Sequence, residues 1–324
     1  MREGGRVSGE KLGRTVGISR TAVWKYIAEL RREGYQISSS PRLGYSLISA
    51  PDELLPEEIK EGLNTNIMGK QIIHYREISS TQDIAKALAA QGADEGVVVV
   101  AERQTQGRGR MGRNWFSLPG SICLSLILRP ELKPLEALKF PLIAGVGAAQ
   151  AINKLTGLRP ELKWPNDLIL GGKKVGGILA ELSAETDRVI YIVLGIGINV
   201  NTPRNLFPEE IEAIATSLKE ECGKEVSRVK LVQAILVELE SLYEELKFVG
   251  FEPIRQKWKS LSNTIGFWVR VSNAKEEIEG EAIDIDQEGA LILRKASGSL
   301  QRIIAGEVTL RKEVNRGGNL GGQV

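Results

Sequence analysis

Residues 97–128, VVVVAERQTQGRGRMGRNWFSLPGSICLSLIL, decide how the chain folds. Gly107, Gly109 and Gly112 alternate here with Arg108, Arg110 and Arg113, directly after an apolar run. Gly107-x-Gly109-x-x-Gly112 matches the dinucleotide fingerprint letter by letter. That fingerprint needs its glycines to open a helix whose N-terminus holds the pyrophosphate. Here the loop runs instead into Pro119-Gly120 and the β-rich SICLSLIL, which reads as turn and strand. The context excludes a nucleotide-binding βαβ unit and predicts strand, polar loop, strand. Glycines let a backbone approach a ligand closely, and arginines present planar donor forks to phosphate or carboxylate. The loop therefore reads as a cover for an anionic, phosphate-bearing molecule rather than a solvated basic turn.

The flanking segments extend this to a mixed α/β core. QIIHYREI reads as a strand, SSTQDIAKALAAQ as a helix capped by Ser80 or Thr81, and ALKFPLIAGVGAAQAINKLTG as a long apolar helix packed on the sheet. In Glu161–Glu181, ELKWPNDLILGGKKVGGILAE, two apolar strands meet at Gly171-Gly172, a hairpin signal. Strand alternation sends Lys173 and Lys174 to opposite faces, one inward. Gly176-Gly177 in a strand implies that something approaches the backbone closely. YIVLGIGINVN adds a third apolar strand ending at a ligand edge.

Composition sets the outer limits. The chain has 324 residues, 42% hydrophobic and 26% charged, enough for two or three globular domains. No signal peptide and no run of transmembrane length is read, so a cytoplasmic protein without a membrane partner is expected. Cys123 and Cys222 are far apart, which argues against a disulfide framework or structural zinc. With His74 as its single histidine the chain cannot build a His-rich metal centre, and no metal site is predicted. The net charge of +2 is uneven: residues 1–49 carry +5 and the remainder −3. A basic N-terminal segment on a near-neutral body points to a nucleic-acid-binding module.

That segment supplies a matching pattern. Ser8–Ile27, SGEKLGRTVGISRTAVWKYI, reads as helix, turn at Gly17, and a second helix capped by Ser19. Leu12 and Val16 share a face of the first helix, and Val23, Ile27 and Leu30 form the apolar face of the second. Arg20, Thr21, Trp24 and Lys25 are left outward to meet DNA. YQISSSPRLGYSLIS reads as a hairpin wing with Arg42 near its tip. Only seven residues precede Ser8, so the domain reads as lacking a leading helix. At the other end, residues 264–312 alternate as short strands with turns at Asn273 and Gly289, a small SH3-like β-barrel, and the final EVNRGGNLGGQV reads as disordered.

Taken in order, SGEKLGRTVGISRTAVWKYI, SSTQ, RQTQGRGRMGRNW, KWPNDLILGGKKVGGILAE, GIGINVN and AGEVTLR resemble the bifunctional biotin–protein ligases that double as biotin operon repressors. The resemblance spans nearly the whole chain. It implies a multidomain α+β protein: winged helix-turn-helix over 1–50, linker over 51–62, a class II synthetase-like catalytic domain over 63–262, an SH3-like domain over 263–312 and a tail over 313–324. The implied enzyme is a biotin–[acetyl-CoA-carboxylase] ligase. Biotin and ATP, with Mg²⁺, would give biotinyl-5′-adenylate, and a lysine of a biotin carboxyl carrier domain would then take the biotin.

Residue by residue, the resemblance assigns Ser80, Thr81, Gln82, Gln104, Arg108, Gly109, Arg110, Trp115, Lys174 and Gly177 to biotin. Gln82 stands where many members have asparagine. It assigns Arg108, Arg110, Arg113, Lys174, Asn199 and Arg311 to ATP or the adenylate. Lys174, Arg110 and Asp167 are the expected catalytic residues, with Asp167 assisting the incoming amine. Operator DNA and a homodimer are expected for the N-terminal domain. Three alternatives stay open from sequence: a ligase that no longer binds DNA, a biotin-sensing regulator with a dead catalytic domain, and a lipoate-type ligase on the same core.

Overall fold

The computed structural model describes residues 5–41, 43–272 and 276–310. Arg42, the turn at Asn273, Arg311 and the C-terminal tail lie outside the described residues. The chain divides into two units, Met1–Glu53 and Leu54–Val324.

In the first unit, serine caps fix both helix starts. The Ser8 side chain accepts from the Lys11 amide ahead of α1 (Gly9–Val16), and Ser19 accepts from Ala22 ahead of α2 (Arg20–Arg32). Gly17 ends α1 in the left-handed region at φ 73°. Strands β1 (Gln36–Ser40) and β2 (Gly44–Ser49) pair antiparallel. Val23, Ile27 and Ile37 form the small core, with Leu12, Ile18 and Leu30 against it. Val16 does not join it and is 62% exposed, contrary to the periodicity. Beyond the left-handed Gly17, which ends the helix, Ile18 packs against the small core instead. Ahead of α1, the described residues hold a β-bridge, Val7 to Tyr45, rather than a helix.

The second unit is built on a seven-stranded sheet in the order β3-β4-β5-β9-β8-β7-β6. Its strands are β3 (Ile72–Ile78), β4 (Val98–Gln104), β5 (Ser121–Leu128), β6 (Glu161–Lys163), β7 (Asp167–Leu170), β8 (Lys173–Ala184) and β9 (Val189–Asn199). Only β3 and β4 are parallel. The short α3 (Pro56–Lys60) precedes the sheet, and α4 (Thr81–Ala90) crosses one face. On the other face lies α5 (Phe140–Thr156), entered through a 3₁₀ turn at Pro134–Lys139. Beyond β9 come a 3₁₀ turn at Arg204–Leu206, then α6 (Glu209–Glu212), α7 (Leu218–Cys222), α8 (Arg228–Phe248) and α9 (Glu252–Leu261).

Two departures from the sequence reading concern burial. The stretch read as linker is packed from Leu54 onward, since Leu54 and Ile59 are fully buried. Pro134–Thr156, which contains the long apolar helix expected on the sheet, is long and apolar enough to cross a membrane by length and composition, where no run of that length was expected. Its most apolar window is 72% buried inside the fold, as a core helix requires.

Glu240 of α8 ties the front of this unit together. Its buried carboxylate accepts the backbone N–H groups of Asn66, Ile67 and Met68, just ahead of β3. Charge-assisted bonds to a buried carboxylate are among the stronger ones. Glu240→Ala leaves three backbone donors without their carboxylate, that of Met68 buried, and should lower stability by about 2 kcal/mol, measured by urea unfolding.

The C-terminal sheet follows the order β13-β12-β11-β10-β14, with β10 (Trp268–Ser272), β11 (Glu277–Ile285), β12 (Leu291–Arg294), β13 (Leu300–Ile303) and β14 (Glu307–Leu310). Its pairing is antiparallel throughout, and β13 and β14 are its edges. Among the described residues no hydrogen bonding closes it into the expected barrel. The Trp164 indole donates to the Gly289 carbonyl at 3.1 Å, which fixes this sheet beside the Trp164–Asp167 turn.

Candidate active site

The arginine loop closes over a cavity of about 150 Å³, floored by β5, β8 and β9 and walled by the N-terminus of α4. Glycines make the floor. Gly177 of β8 pairs with Gly197 of β9, and Gly195 lies two residues before Gly197 on the same face. A Cβ at Gly197 would stand 2.5 Å from the Trp115 ring, and one at Gly195 would stand 2.6 Å from Gln82 Oε1. Bare backbone at these positions admits Trp115 and Gln82. At Gly177 the closest approach comes from Lys174, 3.3 Å from Nζ to a built Cβ. The close approach predicted for the glycine pair is thus made first by the protein's own side chains.

One end of the cavity is neutral and polar. Gln104, the last residue of β4, accepts from both the backbone N–H of Thr81 (2.7 Å) and its hydroxyl (2.9 Å). Gln82 donates to the Val193 carbonyl at 3.0 Å. Ser80 caps α4 through the Asp83 amide and is fully buried. Behind this end, Glu102 anchors β4. It accepts the Leu54 amide and pairs with Arg228 at 2.7 Å. Burial opposes its ionisation, but His74, the Leu54 amide and Arg228 outweigh that and bring its pKa down to about 2.

The other end gathers cations. Lys174 Nζ lies 2.6 Å from Asp167 Oδ1, across the hairpin that brings β7 and β8 together. Its backbone is held by Ile214 and Thr216, which run alongside it. Arg108 pairs with Asp83 of α4 at 2.5 Å, and Arg113 makes a two-pronged pair with Glu307 of β14. Arg110 differs from the rest. Its guanidinium meets the Asn166 side-chain oxygen and the Gly306 carbonyl, both at 3.3 Å, and among the described residues it has no ion-pair partner. Asn166 is oriented for this by donating its own amide to the Ile178 carbonyl. Burial pulls the Arg110 pKa below its usual value, against the charges of Asp167 and Glu307, and leaves a desolvated cation. Met111 follows at φ 54°, an uncommon conformation outside glycine, and turns the loop between Arg110 and Arg113.

Ser80, Thr81, Gln82, Gln104, Arg108, Gly109, Arg110, Arg113, Trp115, Asp167, Lys174 and Gly177 all line this one cavity. Lys173 does not, so the hairpin register turns Lys174 inward. Asn199 is also absent from the lining. It is buried at the end of β9, where its side-chain amide donates to the Thr216 carbonyl at 3.1 Å. Arg311 lies outside the described residues.

The sequence reading passed over Ser125, Gly195, Asn166 and Glu307, which also line the cavity. Ser125 left a faint signal, as a polar residue two positions after Cys123 in an otherwise apolar strand. Glu307 left none, because its relation to the arginine loop spans 194 residues of chain.

In the N-terminal unit, Arg20, Thr21, Trp24 and Lys25 are all exposed on α2, Trp24 at 62%. They form a continuous outward surface opposite the buried Val23 and Ile27. Arg42 lies outside the described residues.

Comparison with known proteins agrees with both units. Residues 75–199 match the Biotin/lipoate A/B protein ligase family, residues 1–46 an HTH domain, and residues 264–311 the Biotin protein ligase C terminal domain. The bifunctional ligase/repressor BirA of Bacillus subtilis is 42% identical over 94% of each chain. That of Escherichia coli is 33% identical over 94% of this chain and 92% of its own. The solved biotin protein ligase from Aquifex aeolicus in complex with biotin and ATP aligns with a TM-score of 0.65 at 32% identity, over 75% of this chain and all of that one. With relatives matched along almost their full length and family models matching the N-terminal, central and C-terminal segments, the chain belongs to the bifunctional biotin–protein ligase/repressor family.

Proposed function

We propose that this protein activates biotin with ATP to biotinyl-5′-adenylate and transfers biotin to a lysine of a biotin carboxyl carrier domain, and that its N-terminal unit represses transcription in response to biotin. The observation that carries the reading is the division of one cavity into a neutral hydrogen-bonding end and an end holding Lys174 and the desolvated Arg110. A ligand with a polar heterocyclic head and a carboxylate tail fits that division.

In the first step a carboxylate oxygen of biotin attacks the α-phosphorus of ATP, and the bond to pyrophosphate breaks. The carboxylate is already ionised at neutral pH, so no base is required. The barrier is the approach of two anions, which fixed cations offset without reorganising. Lys174 and Arg110 are assigned that task. Mg²⁺ enters as the counter-ion of ATP. In the second step a carrier amine attacks the acyl carbon and AMP leaves. An ordinary lysine is neutral in only one molecule in about 2,500 at pH 7. We assign Asp167 to take its proton, once the substrate's anions have drawn Lys174 away from it.

The C-terminal sheet, of the SH3-like type, is assigned a part in closing this site, because Glu307 and Val308 line it. Arg20, Thr21, Trp24 and Lys25 are assigned to operator DNA. A two-fold homodimer would place two such surfaces on two half-sites.

The test is to incubate the protein with ATP, Mg²⁺, biotin and a carrier domain and to weigh the carrier. A gain of one biotin, lost when the acceptor lysine is replaced, is the expected result. Adenylate without transfer would leave a biotin-sensing regulator, and no adenylate would overturn the reading.

A further inference from the structure

The hydrogen-bonding end of the cavity has more acceptors than hydrogens to fill them. Thr81, Gln82 and Ser125 are each at most 4% exposed. Three oxygen–oxygen contacts link them to Gln104: Thr81 Oγ1 to Gln104 Oε1 at 2.9 Å, Thr81 Oγ1 to Ser125 Oγ at 2.9 Å, and Ser125 Oγ to Gln82 Oε1 at 3.1 Å. Both carboxamides have fixed orientations. The Gln82 nitrogen donates to the Val193 carbonyl, and the Gln104 oxygen receives the Thr81 backbone N–H. Only the two hydroxyl hydrogens remain for three contacts. In every arrangement of those two hydrogens, at least one oxygen among Thr81, Ser125 and Gln82 accepts nothing. The Gln104 side-chain nitrogen, by contrast, has no hydrogen-bond partner among the described residues. A buried acceptor cluster beside a spare pair of N–H donors is complementary to a ligand carrying N–H and C=O on adjoining atoms.

We infer that Ser125, acting with Gln82, is a specificity-determining residue, whose hydroxyl chain through Thr81 receives a ureido N–H of the ligand. The inference rests on the biotin reading of this cavity. Ser125 is the hub because it touches both Thr81 and Gln82, and it lies on the cavity face of β5 beside Cys123. Gly195 is part of the same arrangement, since a Cβ there would displace Gln82 Oε1. The longer glutamine in place of asparagine reaches Ser125 across the bare backbone of β9.

The experiment measures biotin binding by calorimetry and biotin-dependent ATP–pyrophosphate exchange in the wild type and in Ser125→Ala. The alanine variant should raise the Kd and the KM for biotin about 10-fold, the range for a buried acceptor left without its partner. Its KM for ATP and its kcat should stay within about two-fold, with Tm nearly unchanged. Gln82→Met, which keeps length but removes the acceptor, should raise the biotin KM similarly. Ser125→Cys retains the volume and serves if the alanine variant does not fold, with an expected loss of the same sign. Equal biotin affinity in wild type and variant would overturn the assignment of Ser125 while leaving the ligase reading intact. A parallel loss in ATP KM, kcat and Tm would mark a structural role and overturn it too. If the wild type binds no biotin, the ligase reading itself fails, and this inference with it.

Discussion

Lys174→Ala should lower biotin-dependent ATP–pyrophosphate exchange by about 10²–10³-fold, while Lys173→Ala changes it by less than about two-fold. The size follows from what one preorganised charge contributes where two anions must meet. Both lysines follow the same turn, carry the same charge and lie in the same strand, so bulk electrostatics does not distinguish them. Geometry does, since Lys174 lines the cavity and meets Asp167 at 2.6 Å, whereas Lys173 is not part of the lining. The ammonium is also set on rigid backbone, with both its N–H and C=O bonded to the segment at 214–216. Exchange rates for both variants at saturating ATP, beside thermal melts to confirm folding, make the comparison. The reverse ranking would mean that the strand register has been misread.

Asp167→Asn should divide the two half-reactions. Pyrophosphate exchange is expected to fall by less than about 10-fold. Transfer of preformed adenylate to carrier should fall by about 10²–10³-fold, the range that general-base assistance supplies. The division arises because a carboxylate does nothing useful while two anions are being joined. Afterwards it stands beside an amine that must lose a proton. Asparagine keeps the shape and can still accept a hydrogen bond from Lys174, so the substitution isolates charge and basicity. A single-turnover transfer assay with isolated adenylate reads the second step alone. An equal loss in both half-reactions would assign Asp167 to holding Lys174 in place.

Much of this was legible because the informative residues lie in contiguous runs. The arginine loop, the Gly171-Gly172 hairpin and the Ser80 cap are local features, and local chemistry decides them. The turn after Ser117 was enough to reject the dinucleotide fold. What escaped was of three physical kinds. Glu307 meets Arg113 only through tertiary packing, which no local pattern encodes. Ser125 sits in a strand buried on both faces, where the alternation that marks a cavity side is erased by apolar neighbours such as Leu124 and Leu126. Val16 was placed inward by periodicity, and the left-handed turn at Gly17 that ends its helix leaves it exposed.

The acids standing beside Arg108, Arg113 and Lys174 bear on how the spent product leaves. Two of these pairs are largely exposed and therefore weakly held, so an entering phosphate can displace them at small cost. The displaced carboxylates remain tethered on α4, β7 and β14, within reach of the cations they have lost. Once pyrophosphate has been released from the α-phosphorus, each of them competes for its old partner at the high effective concentration of an attached group. If these cations hold the phosphates as proposed, the site would carry built-in competitors for its first product. Their return would favour the escape of pyrophosphate and work against the reverse reaction while the adenylate waits for its acceptor.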